Sequence, residues 1–524
     1  MSLGRREAGG WIPVAGAAAL AVALTLRVTA HYGPGAEPDT VTYLAAARHL
    51  RAGHGFADIG GEPLTVFPPV FPAAVAVLEW FGMAPLSAAR VLNAAMFGIL
   101  VVLAAVWTRR ISGSPTLGAV VAGIAAVSTP MVAIASSALS EPVGIVAAVG
   151  CLLLLTEAVR TGGLRYAVAA GLAAAVACLT RYASVVLYPV GAVVLLARPG
   201  RLAGRIRLVT TFLAVGLVPV GAWLVRNVAA TGNATGDGRG TSALSPVTSL
   251  KLTLAAVGAW VLPGSTSETV QAIAGGALCM AVAGALLLAL RAERRRTQPA
   301  AELGPRGGLG PAVGPAALAL PAAVFVVLGV ASVAWFEATM AIDPPPRFLL
   351  PVFVPLLVGA AVVVADRARR RSWRPAAVAG LVLVVVAASL PRLGAFVDRA
   401  DRQGLLDYST PAWTSSPLLD YLKAHPVRGT VASDDPYILD LRLGIPAEPT
   451  PARTYYASNE PTSELARFLR KAAEATATDG LSVVWFPGSY REYLYSLAEL
   501  ERVMCLRVER HFTDGDLLRA CPVT

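Results

Sequence analysis

"SAARVLNAAMFGILVVLAAVWTRR" runs from Ser87 to Arg110. Its first 21 residues are apolar apart from a few polar positions, and it ends on the paired arginines Arg109 and Arg110. A helix needs roughly 20 apolar residues to cross the hydrocarbon core of a bilayer. A run of that length closed by arginine reads as a membrane span that stops at the cytoplasmic face. The whole chain repeats the pattern. It has 524 residues, 55% of them hydrophobic and only 15% charged, and its mean hydropathy is +0.61. Soluble proteins carry about 25% charged residues. Eleven spans are expected, give or take one or two, at 11–30, 87–107, 115–133, 139–157, 166–180, 183–198, 208–225, 270–290, 315–335, 348–365 and 375–391.

The net charge is +11, and lysine occurs only at Lys251, Lys423 and Lys471. The arginine excess reads as topology and not as a nucleic-acid surface, because cytoplasmic loops retain basic residues. With the N-terminus inside, the cytoplasmic segments hold Arg5 and Arg6, Arg109 and Arg110, Arg160 and Arg165, Arg198 to Arg207, Arg291 to Arg296, and Arg367 to Arg374. This agreement predicts a multi-pass protein of the plasma membrane with a cytoplasmic N-terminus and an extracytoplasmic C-terminus. The run from Trp11 has no clear small-residue cleavage site and is expected to be the first span.

Two outer loops are expected, at 31–85 and 226–268. The first holds a helix-like piece, "DTVTYLAAARHLRAG" from Asp39, expected to lie along the membrane surface. In the second, the apolar stretch from Leu252 to Leu262 is too short to cross. The arginine-, glycine- and proline-rich segment 291–314 reads as a cytoplasmic loop. Residues 1–391 form the transmembrane domain in this reading, and 392–524 a small extracytoplasmic α/β domain. There "GTVAS" and "LSVVWFP" alternate with the helical "SELARFLRKAAEA" from Ser463, and Asp514-Gly515 marks a hairpin turn. Cys505 and Cys521 flank that hairpin and can form a disulfide if the tail is outside the cell. Cys151, Cys178 and Cys279 sit in apolar segments as packed thiols.

Ionisable residues at membrane depth are costly and mark functional sites by default. Outside the arginine-rich loops they are Glu37, Asp39, Glu141, Arg181, Arg226 and Arg347, all at the expected outer mouth of the bundle. Arginines there would clamp a lipid-borne phosphate through charge-assisted hydrogen bonds. If that lipid is a polyprenyl phosphate sugar, the leaving group needs no general acid. One carboxylate suffices to deprotonate an acceptor hydroxyl.

These residues lie in strings that resemble the GT-C superfamily of glycosyltransferases, especially the bacterial relatives of protein O-mannosyltransferases and lipid A aminoarabinose transferases. The strings are "DTVTYLAAARHLRAGHGF", "TVFPPVFP", "SALSEP", "LTRYASVVLYP", "WLVRNVAATGN" and "PRFLLPVFVPLL", in that order over roughly 360 residues. The resemblance implies a polytopic glycosyltransferase. It would move a sugar, with inversion, from a polyprenyl-phosphate donor to a glycan, lipid or protein hydroxyl on the outer face. It makes the acid of the first outer loop the catalytic base, carried over onto Asp39 with Glu37 as the substitute; "EPD" stands here in place of the family's paired acids. From the charge pattern Arg181, Arg226 and Arg347 are expected as donor-phosphate ligands, and Glu141, Tyr43 and His54 are expected as substrate contacts. No metal constellation and no cofactor is expected, and the partners are the donor, the acceptor and membrane lipid, without nucleic acid.

Plainer readings stand beside these. Asp39 can cap a helix, Glu141 before Pro142 can start one, and the arginines can be interfacial anchors. Tyr43 and Tyr182 can be packing aromatics, His54 and Glu62 ordinary loop residues, and Asp434 and Asp435 a turn. A lipid or sugar transporter is the alternative function. It would place its charges near the midplane between repeated halves, and neither is found. A noncatalytic envelope assembly protein is the third reading.

Overall fold

In the computed structural model the described residues are 10–236, 244–262, 265–301, 314–339, 346–369, 375–454, 460–489 and 491–521. The chain is helical as far as Gln403, beginning with α1 (Ile12–Val28), α2 (Pro38–Arg51), α3 (Val70–Trp80) and α4 (Pro85–Ser112). There follow α5 (Pro115–Ala126), α6 (Thr129–Ala135), α7 (Glu141–Thr161), α8 (Leu164–Cys178), α9 (Leu187–Ala197) and α10 (Leu202–Thr231). The helical part closes with α11 (Pro246–Gly258), α12 (Glu268–Ala301), α13 (Leu320–Thr339), α14 (Leu350–Arg369) and α15 (Pro375–Gln403). Proline repeatedly occupies the first turn, where its missing N–H has no helical partner to lose. Gly113 and Gly162 end α4 and α7 with left-handed caps at φ 67° and 68°.

Each of the eleven expected spans coincides with helix. Among the described residues six helices are long and apolar enough to cross a membrane, and seven if the bent pair α5 and α6 counts as one span. The chain is therefore a multi-pass membrane protein. The expected third span is not straight: α5 and α6 meet at 61°, where Pro130 in the first turn of α6 restarts the helix. Helices α1 and α8 and the piece Tyr182–Ala197 are shorter apolar helices. Small residues let these pack closely. A Cβ on Gly171 of α8 would lie 2.7 Å from the Phe212 carbonyl oxygen of α10.

Two expectations change. Helix α2, expected along the membrane surface, is covered by protein: Val41, Tyr43, Leu44 and Ala45 to Ala47 are all buried. It is α3, inside the first expected outer loop, that exposes its apolar end at Trp80 and Phe81. Helix α15 also runs unbroken past residue 391, so the sheet begins well after it.

The C-terminal region holds α16 (Pro417–Ala424), β1 (Thr430–Ser433), α17 (Pro436–Leu443), β2 (Glu448–Pro449), α18 (Glu464–Thr478), β3 (Leu481–Trp485), α19 (Leu497–Val503), β4 (Leu506–Phe512) and β5 (Gly515–Ala520). The sheet order is β2-β1-β3-β5-β4, with β1 parallel to β2 and β3 and β5 antiparallel to both its neighbours. The hairpin turn falls one residue earlier than expected, since Gly515 already pairs with Phe512. Gly515 is needed there because a Cβ would collide with the Trp485 carbonyl. Cys505 and Cys521 form a disulfide with Cα atoms 5.4 Å apart.

The sheet is not tethered loosely. Ala36 and Val41 share one apolar core with Tyr408, Leu418, Ile438, Leu439 and Phe486. Tyr408 donates its N–H to the Ala36 carbonyl at 3.1 Å, and Ser409 donates its hydroxyl to Pro34 at 2.6 Å. Arg48 of α2 grips Asp440 of α17 with both oxygens at 2.6 Å. Helix α2 is thus held between the bundle and the sheet.

Candidate active site

Helix α2 begins with a device the sequence encodes locally. Glu37 is its N-cap in an extended conformation, Pro38 fills the first turn, and Thr40 closes a capping box. Thr40 Oγ1 accepts the Glu37 N–H at 3.2 Å. Asp39 stands in the same first turn, where the helix dipole favours a carboxylate. Glu141 likewise opens α7 ahead of Pro142, but its side chain is almost entirely buried.

Two arginines come to these acids from distant parts of the chain. Arg181 is extended and precedes the short 3₁₀ turn Tyr182–Val186; Arg347 lies in the turn Pro346–Leu349 that leads into α14. The Arg347 guanidinium touches three carboxylates at once: it donates through Nη1 to Glu37 and through Nη2 to Asp39 at 3.0 Å, and its Nε is 3.5 Å from Glu141. Arg181 Nη1 is 2.8 Å from the same Glu141 oxygen. The arginine side chains are only 16% and 21% exposed, against 29% for Asp39. Glu141 thereby bridges the two cations, and its charge offsets their mutual repulsion. Among the described residues no donor is aligned for a hydrogen bond to either Glu141 oxygen, and its contacts with Arg181 and Arg347 are ion pairs.

The surroundings fix these groups. The Phe348 ring lies under both guanidiniums, at 5.1 Å from Arg181 and 5.7 Å from Arg347. Ser140 Oγ stands 3.1 Å from the Tyr43 hydroxyl and 3.3 Å from Arg181 Nη1. Tyr43 is buried against Phe67 and Phe71, and burial raises its hydroxyl above the ordinary tyrosine range. Burial also raises the Glu37 carboxyl, against the pull of Arg347 and with further push from Asp39 and Glu141. Neither Ser140 nor Phe348 stood out in the sequence, although both adjoin residues that did.

Arg226 and His54 are placed elsewhere. Arg226 donates to the carbonyls of Leu64 at 2.8 Å and Phe56 at 3.1 Å and stacks over Trp223. Its guanidinium is occupied with holding the first outer loop to α10. Trp223 and Asn227 assist by donating to the Tyr182 hydroxyl, which itself donates to the Thr65 carbonyl. The His54 ring sits near His49, 6.0 Å between centroids, and not at the cluster. Among the described residues, no group of three or more His, Cys, Asp or Glu is placed to hold a metal ion.

No family model matches the chain, and no curated protein matches it. Solved structures do. ArnT from Cupriavidus metallidurans in the apo state aligns at 14% identity with a TM-score of 0.61, covering 98% of this chain and 98% of that one. The same protein bound to undecaprenyl phosphate gives 14% and 0.59, covering 96% of each chain. The oligosaccharyltransferase AglB from Archaeoglobus fulgidus, with an inhibitory peptide and a dolichol-phosphate, gives 11% and 0.52 over 94% of this chain and 70% of that one. The chain has a GT-C fold, as the motif strings led one to expect.

Proposed function

We propose that this protein is a glycosyltransferase that takes a sugar from a polyprenyl-phosphate donor and passes it, with inversion, to an acceptor hydroxyl at the outer face of the plasma membrane. In this reading about eleven helices cross the bilayer, residues 1–391 form the membrane domain, and 392–524 stand outside above the catalytic end. The observation that carries it is the Arg347 guanidinium shared by Glu37, Asp39 and Glu141, with Arg181 on the far side of Glu141. Two solved structures that share this fold carry undecaprenyl phosphate and dolichol-phosphate, the same class of lipid phosphate.

The cluster accounts for each part of the reaction. Arg181 and Arg347 receive the donor phosphate, and Phe348 keeps both guanidiniums turned one way. Asp39 takes the proton of the acceptor hydroxyl as that oxygen attacks the anomeric carbon. The bond from that carbon to the phosphate oxygen breaks, and the polyprenyl phosphate leaves with the electron pair. Its growing charge falls on the arginines. Asp39 suits the base role better than Glu37. Arg347 holds one oxygen of each acid, but Asp39 is the more exposed of the two, whereas Glu37 is also taken up as the helix N-cap.

Purified protein supplied with a panel of radiolabelled polyprenyl-phosphate sugars tests this. Wild type is expected to turn over one of them, and Asp39→Asn to lose about 10²–10⁴-fold in rate, as for a missing general base. Glu37→Gln is expected to lose about tenfold, through a weakened cap and a shifted Arg347. No turnover with any donor defeats the enzyme reading; equal losses in the two variants defeat Asp39 as the base.

A further inference from the structure

The sheet region brings a second polar cluster to helix α2. Asp435, expected only to make a turn, is buried and accepts the Tyr408 hydroxyl at 2.6 Å. Arg491 lies 3.9 Å from its other oxygen and donates to the Tyr493 hydroxyl at 3.4 Å. Both Arg491 contacts are long beside the 2.6 Å grip of Arg48 on Asp440, and a third of the Arg491 side chain is exposed. Tyr437 follows in the first turn of α17, the helix that Arg48 ties to α2. Tyr408, which bonds Asp435, also donates its N–H to the carbonyl of Ala36 at 3.1 Å, one residue before Glu37, so the sheet cluster adjoins the end of α2 that carries the proposed base.

We propose that Tyr437, Arg491 and Tyr493, backed by Asp435, form the acceptor site, and that the acceptor they take is a neutral saccharide. This rests on the glycosyltransferase reading and names the substrate class on its acceptor side. Charge decides against an anionic acceptor. Asp435 and Arg491 cancel, and Glu37, Asp39 and Glu141 outnumber Arg181 and Arg347 by one before a donor phosphate arrives. A second anion would face repulsion on every side. A neutral sugar meets what suits it: a planar guanidinium fork for its hydroxyls and two tyrosines with ring faces and polar tips. The acceptor hydroxyl then hands its proton to Asp39, as in the transfer step above.

Full-length protein in lipid nanodiscs, titrated calorimetrically with mannotriose, arabinotriose and mannose 6-phosphate, tests the site without any donor. Wild type is expected to bind a neutral trisaccharide and to bind mannose 6-phosphate more weakly. Arg491→Gln should weaken the trisaccharide about tenfold, the loss of one hydrogen bond to a charged group, and Tyr437→Phe less. Arg491→Lys, which keeps the charge and loses the fork, should recover only part. An unchanged melting temperature shows that each variant is folded. The inference is overturned if neither trisaccharide binds, if the phosphate binds best, or if folded Arg491→Gln binds as wild type does. Donor turnover, measured separately, decides the enzyme reading itself.

Discussion

Helix α7 carries a buried glutamate near each end, and each meets two arginines. At the C-terminal end Glu157 accepts from Arg160 through Nε at 2.8 Å and through Nη2, with Arg110 at 3.7 Å. Those arginines are 42% and 58% exposed, so water shares their charge. At the N-terminal end Glu141 has no hydrogen bond among the described residues, and its arginines are at most half as exposed. The same residue types thus do different things. Solvated, they make a local ion pair of the kind that anchors a helix end and contributes little. Withdrawn from water and drawn together from two helices and two turns, they form a shielded charged cluster, the one to which the proposed function assigns the donor phosphate.

The sharpest way to break the contrast is Arg347→Ala. Three carboxylates would lose their common cation, and transfer should fall about 10²–10³-fold, as when one oxyanion donor is removed. Retention of activity within tenfold would place the phosphate elsewhere. Next comes the matched pair Glu141→Gln and Glu157→Gln. The first removes the carboxylate that keeps two shielded cations together and should cost about 3 kcal/mol of stability; the second should cost about 1 kcal/mol. Melting curves in one detergent compare them, and equal shifts would erase the distinction between the two ends.

A pH series sharpens it further. The Glu37 carboxyl is raised in the folded state, so below neutrality the folded protein takes up a proton that the unfolded chain does not yet bind. Its contribution to stability is therefore greatest at low pH and is lost as pH rises through the folded value. The melting-temperature difference between wild type and Glu37→Gln should change in wild type's favour as pH falls from 7 to about 5, near the carboxylate range. A difference independent of pH would contradict the burial of Glu37. The smallest effect belongs to Arg110→Gln, expected to change stability by no more than about 0.5 kcal/mol and to leave turnover alone.

Much of this was legible beforehand because hydropathy and arginine placement are properties of contiguous sequence. Arg181 and Arg347 stood out by interrupting apolar segments at the wrong end, and the acids by preceding helices. What contiguous sequence does not carry is which of these arginines meets the carboxylates. Arg226 looks like the others, and its diversion to loop carbonyls depends on Trp223 and Asn227, whose helical spacing was the only hint. Ser140 and Phe348 act through tertiary neighbours. Helix α2 seemed amphipathic enough for a membrane surface; the unbroken Ala45-Ala46-Ala47 was the sign that both of its sides would be covered. Asp435 was hidden by its setting in a turn-like "SDDP".

The seam between helix α2 and the sheet also bears on how such a protein can change over generations. Backbone bonds at Ala36, the paired Arg48 and Asp440, and the bidentate contact of Arg27 with Asp401 at 2.7 and 2.6 Å stitch the end of α1 and the segment through α2 to the last third of the chain. A soluble tail joined by a linker can be traded between relatives like a cartridge. Exchanging this one would break those bonds unless residues 27–51 were exchanged with it, so under the proposed function a changed acceptor preference is expected from substitutions within the seam.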